Sequence, residues 1–351
     1  MMSNVELRAK LSKRINERIK NTPRIHRAVN WNEQIDSFTL VFWERNLKQM
    51  WVDTEFIPSK DRNVWERLDP AFQVAYKKVL GGLTLLDTKQ GNLGMPAIAE
   101  HVNVLTRKAV LSFMGMMENI HAKSYSTIFS TLLTEVEIDE VFQWVEENQY
   151  LQYKAEHVSY YYENIVEGDY KSLYLAMVAS VFLESFLFYS GFFLPLWLSG
   201  QGKMVASGEI INKIIQDESI HGVYVGLLAQ EIYNDFLTDQ EREEVDYETN
   251  ALMDELMENE FKYTEEIYAP INLDHEVKNF LYYNANKALM NLNKEARYEE
   301  KKINPIVLNG LSTESGTHDF FSTKGKSYQK AKHRSLTSAD FIFPRLQEEL
   351  F

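Results

Sequence analysis

Apolar residues recur along most of this chain in alternating steps of three and four, the spacing that gathers them on one face of an α-helix. The pattern predicts helices at about 37–49, from 68 through 86, and then over 97–131, 138–147, 151–165, 171–198, 208–233, 239–268 and 274–294. Asp69 followed by Pro70 marks one start, an N-cap residue with proline at the first helical position. The stretch WVDTEFIPSKD from Trp51 reads as extended, because Pro58 cannot sit inside a helix. No run alternates with the two-residue period of a strand, and neither an internal repeat nor a Gly-rich phosphate loop is visible. The expected fold class is all-α.

Two of the apolar stripes are interrupted by the same pair of polar residues. One reads Met114, Glu118, His121, Tyr125, Ile128; the other reads Ile211, Ile214, Glu218, His221, Val225, Leu228. Two further apolar helices carry one acid each, Asp87 in VLGGLTLLDTKQ and Glu184 in VASVFLESFLFYSGFF. A buried lone carboxylate is costly unless it is paired, hydrogen-bonded or bound to metal, so four in one core need a common explanation. A four-helix di-metal site supplies it, with one acid from each of two helices and Glu-x-x-His from each of the others. Four carboxylates and two neutral imidazoles carry about four negative charges, which two divalent ions neutralise.

Each residue also has a plainer reading. Glu118 and His121 can be a surface pair, Glu184 a protonated core acid, and Asp87 an exposed residue near a helix end. Tyr125, one turn beyond His121, can be a core phenol. Asp217 points about 100° away from Glu218, where it can either meet solvent or accept the second N–H of a ligating imidazole. Phe188, Phe192 and Ile214 lie one turn from Glu184 or Glu218 and form either ordinary core or an apolar wall near Tyr125.

Composition narrows the chemistry. At 351 residues and 45% hydrophobic content the chain can build a sizeable core, and a net charge of -14 argues against non-specific nucleic-acid binding. With no cysteine, disulfides, thiolate metal sites and iron–sulfur clusters are excluded, so any metal rests on His and carboxylates. The N-terminal stretch through Asn21 is basic but lacks the apolar core of a secretory signal, and reads as a solvated helix of a cytoplasmic protein. The run 173–198 is long enough to cross a bilayer, yet Glu184 would fall mid-span and no second such run exists; a buried central helix explains it as well. From Leu311 the chain is rich in Ser, Thr, Gly and Lys with spaced aromatic residues, a pattern that suits a tail docking on another protein.

These residues closely resemble the small, radical-generating subunit of class I ribonucleotide reductase, of the class Ib type. The resemblance runs over roughly 28–328: AVNWN at Ala28, GLTLLDT at Gly82, ENIHAKSYSTIFSTL at Glu118, ASVFLESFLFYSGFFLP at Ala179, IIQDESIHG at Ile214, YNANKALMNL at Tyr283, and NPIVLNGLS followed by HDFFSTKGKSY. It implies a ferritin-like bundle in which Asp87, Glu118, His121, Glu184, Glu218 and His221 hold two Mn or two Fe ions. It also implies a tyrosyl radical on Tyr125, an inner transfer chain of Trp51, Asp217 and His121, and an outlet at Tyr328. The implied partners are the large (alpha) subunit, a second copy in a homodimer, and a flavodoxin-like activase where manganese is used; neither nucleic acid nor membrane is implied. A chain without cysteine cannot itself be the thiyl-bearing large subunit. The organisation expected is a basic extension over 1–27, a di-metal domain over 28–310 and a docking tail over 311–351. The rival reading is a self-contained di-metal oxidase acting on a bound organic substrate, which would need no outward path through Trp51 and Asp217.

Overall fold

The computed structural model describes residues 4–21, 25–33 and 35–312, in two units that divide between Gln34 and Ile35. The first unit holds helix α1 (Asn4–Asn21), whose described side chains are all exposed. The second begins with α2 (Thr39–Gln49), α3 (Arg62–Trp65), α4 (Pro70–Lys89), α5 (Met95–His101) and α6 (Leu105–Leu132). It continues with α7 (Glu135–Glu147), α8 (Gln149–Glu163), α9 (Tyr170–Phe182), α10 (Tyr189–Ser199), α11 (Val205–Asp235), α12 (Asp239–Tyr268), α13 (Asp274–Asn291) and α14 (Pro305–Ser312). No strand occurs among the described residues.

Local side chains cap several helix starts. Asp69 accepts from the Ala71 amide with Pro70 behind it, and Thr134 with Glu137 and Thr238 with Glu241 form reciprocal capping boxes. Helix α11 starts differently: its N-cap, Met204, sits in the left-handed region at φ 50 and offers no side-chain cap. The missing acceptor is Asp61, buried 145 residues earlier in the chain, whose carboxylate accepts from the Ala206 amide (3.1 Å) and from the Ser207 amide and hydroxyl (2.7 and 2.8 Å). Replacing Asp61 with Ala removes a helix cap and strands buried donors. The expected result is a loss of about 2–3 kcal/mol in denaturant unfolding, with Asp61→Asn losing less.

The breaks that the apolar pattern did not predict also have local causes. The stretch 97–131 is interrupted where Val102 and Val104 take extended backbone and bury their β-branched side chains. The stretch 171–198 contains a π-turn at Leu183–Leu187; because the run is apolar all round, no change of face could reveal the extra residue. A second π-turn, Gln90–Gly94, follows α4. Segment 51–61 holds two 3₁₀ turns, Asp53–Glu55 and Pro58–Asp61, rather than continuous extended chain.

Five of these elements form the centre: α4 packs on α6, α9 and α10 pack on α11, and α10 also meets α4. The close approach of α11 depends on Gly222 and Gly226, where a Cβ would collide with Ser185 Oγ and with the Asn291 carbonyl. The run Tyr170–Ser199 is apolar and long enough to span a membrane, but its most apolar window is entirely buried within the fold. A buried guanidinium ties α2 to this core. Arg107 donates to Asp36 (3.0 Å) and to both oxygens of Glu231 (3.2 and 2.8 Å), while Asp36 caps Phe38 and Thr39. That anchoring fixes the helix that delivers Gln49 and Trp51 to the centre.

Candidate metal centre

Asp87 comes from α4, Glu118 and His121 from α6, Glu184 from the π-turn at Leu183–Leu187, and Glu218 and His221 from α11. All six are fully buried, which removes the surface reading of the Glu118–His121 pair and the exposed reading of Asp87. Their donor atoms fall into two overlapping groups, Asp87–Glu118–His121–Glu218 and Glu118–Glu184–Glu218–His221. His121 Nδ1 lies 3.2 Å from Asp87 Oδ1, 3.0 Å from Glu218 Oε1 and 3.6 Å from Glu118 Oε2. His221 Nδ1 lies 2.7 Å from Glu118 Oε1, 3.5 Å from Glu218 Oε2 and 3.6 Å from Glu184 Oε2. Glu118 and Glu218 therefore each offer one oxygen to each imidazole, whereas Asp87 and Glu184 each serve one half. The two carboxylates in the middle have the geometry of bridges.

None of these close approaches has the angular geometry of a hydrogen bond. Both oxygens of Asp87, Glu118 and Glu218, Glu184 Oε2, His121 Nδ1 and both nitrogens of His221 have no hydrogen-bonding partner. Buried polar atoms are almost always satisfied, and here ten unpartnered ones lie on the six residues whose donor atoms form the two groups. Two divalent cations fit that donor set, which contains only carboxylate oxygen and imidazole nitrogen.

The residues around the cluster are equally defined. Asp217, only 2% exposed, accepts from Gln49 Nε2 on Oδ1 (2.6 Å) and from Trp51 Nε1 on Oδ2 (2.8 Å). The same Oδ2 lies 2.9 Å from His121 Nε2. A carboxylate only accepts, so Nε2 carries the proton and the Nδ1 lone pair faces the acids. Trp51 stacks on His121 with ring centroids 5.9 Å apart and planes 15° apart. Tyr125 is fully buried with its hydroxyl unpartnered; burial, then the charges of Asp87, Glu218 and Glu118, push its pKa well above the ordinary range. Phe188, Phe192 and Ile214 are fully buried, with Phe188 and Phe192 in ring contact at 5.9 Å. Tyr328 lies outside the described residues.

The family model for the small chain of ribonucleotide reductase matches residues 28–305. The ribonucleoside-diphosphate reductase subunit beta of Bacillus subtilis (strain 168) is 53% identical over 328 residues, covering 93% of this chain and 99% of that protein. The chain belongs to the ribonucleotide reductase small-chain family. The subunit beta of Bacillus phage SPbeta is 54% identical over 321 residues, 91% of this chain and 97% of that protein. Among solved structures, dimanganese(II)-NrdF of Streptococcus sanguinis superposes with a TM-score of 0.78 at 44% identity, covering 82% of this chain and all of that one. This small chain is of the NrdF type, a subunit of an oxidoreductase, and its helical body is ferritin-like. The self-contained oxidase is not favoured.

Sequence reasoning missed two side chains of this small chain's centre. Gln90, in the π-turn after Asp87, donates to Glu184 Oε1 (2.6 Å), and Gln49 holds Asp217 from the side opposite His121. Neither is charged, so the cost of buried charge that singled out the acids did not mark them.

Without metal, the cluster holds protons. Burial, then the charge of Glu118 among others, pushes Asp87 and Glu184 well above their ordinary values of 3.8 and 4.5. Burial opposes charge on His121 and His221, but the acids around them outweigh it and raise both well above 6.5. All four groups bind protons more tightly folded than unfolded, so metal-free stability should fall as pH rises from about 4 through neutrality. Glu218 is shifted the other way, its carboxylate favoured by Glu184 and His121 over the cost of burial, so its opposing contribution is confined to acid below the ordinary carboxylate range. Metal must displace these protons. Loading at pH 7 should release roughly two or more protons per chain, and affinity should climb with pH; calorimetry in buffers of different ionisation enthalpy measures both.

Proposed function

We propose that this subunit generates and stores the radical that ribonucleotide reduction consumes. In this reading Asp87, Glu118, His121, Glu184, Glu218 and His221 hold two Mn or two Fe ions, and Tyr125 carries the radical. The observation that carries it is the sharing of Glu118 and Glu218 between the two imidazoles, with an unpartnered, fully buried phenol under the influence of the same acids. The dimanganese centre of the Streptococcus sanguinis relative supports it. When bound, a pair of redox-active ions supplies the oxidising equivalent that protein side chains lack.

The chain's own residues do the rest. Because its surroundings disfavour the phenolate, Tyr125 is held as the neutral phenol until it is oxidised. Phe188, Phe192 and Ile214 help keep water from the product. Asp217 Oδ2 accepts from both Trp51 and His121, so Trp51 can leave its indole proton there as an electron passes inward. The path ends at Tyr328 in a docking tail over 311–351, which hands the equivalent to the large alpha subunit. The working form is a cytoplasmic homodimer of di-metal domains, 28–310, activated through a flavodoxin-like protein when manganese is used.

Trp51→Phe keeps the ring and its stacking but removes the indole N–H. The tyrosyl signal should stay within about twofold of the parent while turnover with the large subunit falls by on the order of a hundredfold or more. Removal of residues 311–351 should likewise spare the radical and abolish turnover. Undiminished turnover in either protein would overturn the outward path.

A further inference from the structure

Gln90 is fully buried and makes three short contacts with its one amide group. Its nitrogen donates to Glu184 Oε1 at 2.6 Å and to Ser180 Oγ at 2.8 Å, and its carbonyl accepts from the Tyr162 hydroxyl, also buried, at 2.6 Å. An ionised carboxylate only accepts, so Glu184 takes the NH2 end of the amide, and the Tyr162 hydroxyl, donating to the carbonyl, braces the other end. A flipped amide would set its carbonyl against a carboxylate oxygen. The space is kept by Gly94, where a Cβ would collide with both Gln90 Oε1 and the Tyr162 ring.

The consequence falls on Glu184. Its Oε1 is taken by Gln90, while its Oε2 has no hydrogen-bonding partner and faces His221 Nδ1 at 3.6 Å. In the other half both oxygens of Asp87 are unpartnered, and the hydrogen-bonded support falls on His121 through Asp217 instead. The two halves are thus held by different means, one through its imidazole and one through its acid.

We propose that Gln90, oriented by Tyr162, is a positioning residue that holds Glu184 as a single-oxygen ligand and makes the two metal positions chemically unequal. The inference rests on the reading that the cluster binds two divalent ions. It is tested by titrating manganous ion into metal-free full-length protein without oxygen, followed by calorimetry and electron paramagnetic resonance. In Gln90→Leu the Glu184 half should lose roughly 10–100-fold in affinity while the Asp87 half stays within about threefold. Substoichiometric loading should then give the hyperfine-split spectrum of isolated ions where the parent protein gives a coupled pair. Tyr162→Phe, which keeps the amide but removes the donor that braces its carbonyl, should show a smaller loss in the same half.

Two ions bound as tightly as in the parent, or an equal loss in both halves, would overturn the proposal. If the metal-free thermal midpoint shows that Gln90→Leu does not fold, Tyr162→Phe decides by the same criterion. A parent protein that binds no pair of ions would sink the metal reading instead, and the two failures are distinguishable.

Discussion

Tyr125→Phe is expected to remove the tyrosyl signal completely and to bring turnover with the large subunit to background, while leaving the fold slightly more stable. The two effects have opposite signs for one reason. The Tyr125 hydroxyl is fully buried and has no hydrogen-bonding partner, and an unsatisfied buried hydroxyl costs about 1–3 kcal/mol. Phenylalanine fills the same space without that cost, so thermal unfolding of the metal-free variant should be unchanged or improved by about 1 kcal/mol. A core phenol with no further role predicts the same stability gain with no loss of signal. Electron paramagnetic resonance on parent and variant, loaded separately with iron and manganese, separates the cases. A tyrosyl signal that persists in the variant moves the radical to another residue.

Glu218→Ala is expected to lose both ions, whereas Asp87→Ala should weaken one position and keep the other. Glu218 Oε1 lies 3.0 Å from His121 Nδ1 and its Oε2 lies 3.5 Å from His221 Nδ1, so its removal takes a donor from each half and one of the two negative links between them. Asp87 approaches His121 alone. Each missing carboxylate donor is a missing charge as well as a missing bond, and losses on the order of a hundredfold in affinity per position follow. Metal analysis after desalting should fall from two ions per chain toward none for Glu218→Ala, and the rise in thermal midpoint on adding metal should vanish with it. Retention of two ions in Glu218→Ala would show that the bridging geometry does not bear on binding.

The six candidate ligands were legible in the sequence because burial of charge is legible: Glu-x-x-His on an apolar stripe, and a lone acid in an apolar run, are statements about cost. Asp217 was legible as the neighbour of a candidate ligand, and Trp51 only through the family resemblance. Gln90, Gln49 and Tyr162 carry no charge to mark them, and they meet the centre through contacts 72 to 168 residues apart in the chain. The cap that Asp61 provides for α11 was hidden for the same reason. Helix α14, eight residues from Pro305, was not foreseen, since so short a helix shows too few turns of apolar spacing to be told from a loop.

The sequence by itself determined that the chain is helical, that it lacks thiolate ligands, and that four acids and two imidazoles would share one interior, because periodicity and the cost of buried charge act within a single helix. Which carboxylates approach both imidazoles and which belong to one half, which oxygen of Glu184 is free, and which nitrogen of His121 faces the cluster were decided only by the tertiary structure. Those outcomes depend on how four helices approach one another and on partners brought in from distant segments, and no spacing along one chain fixes either.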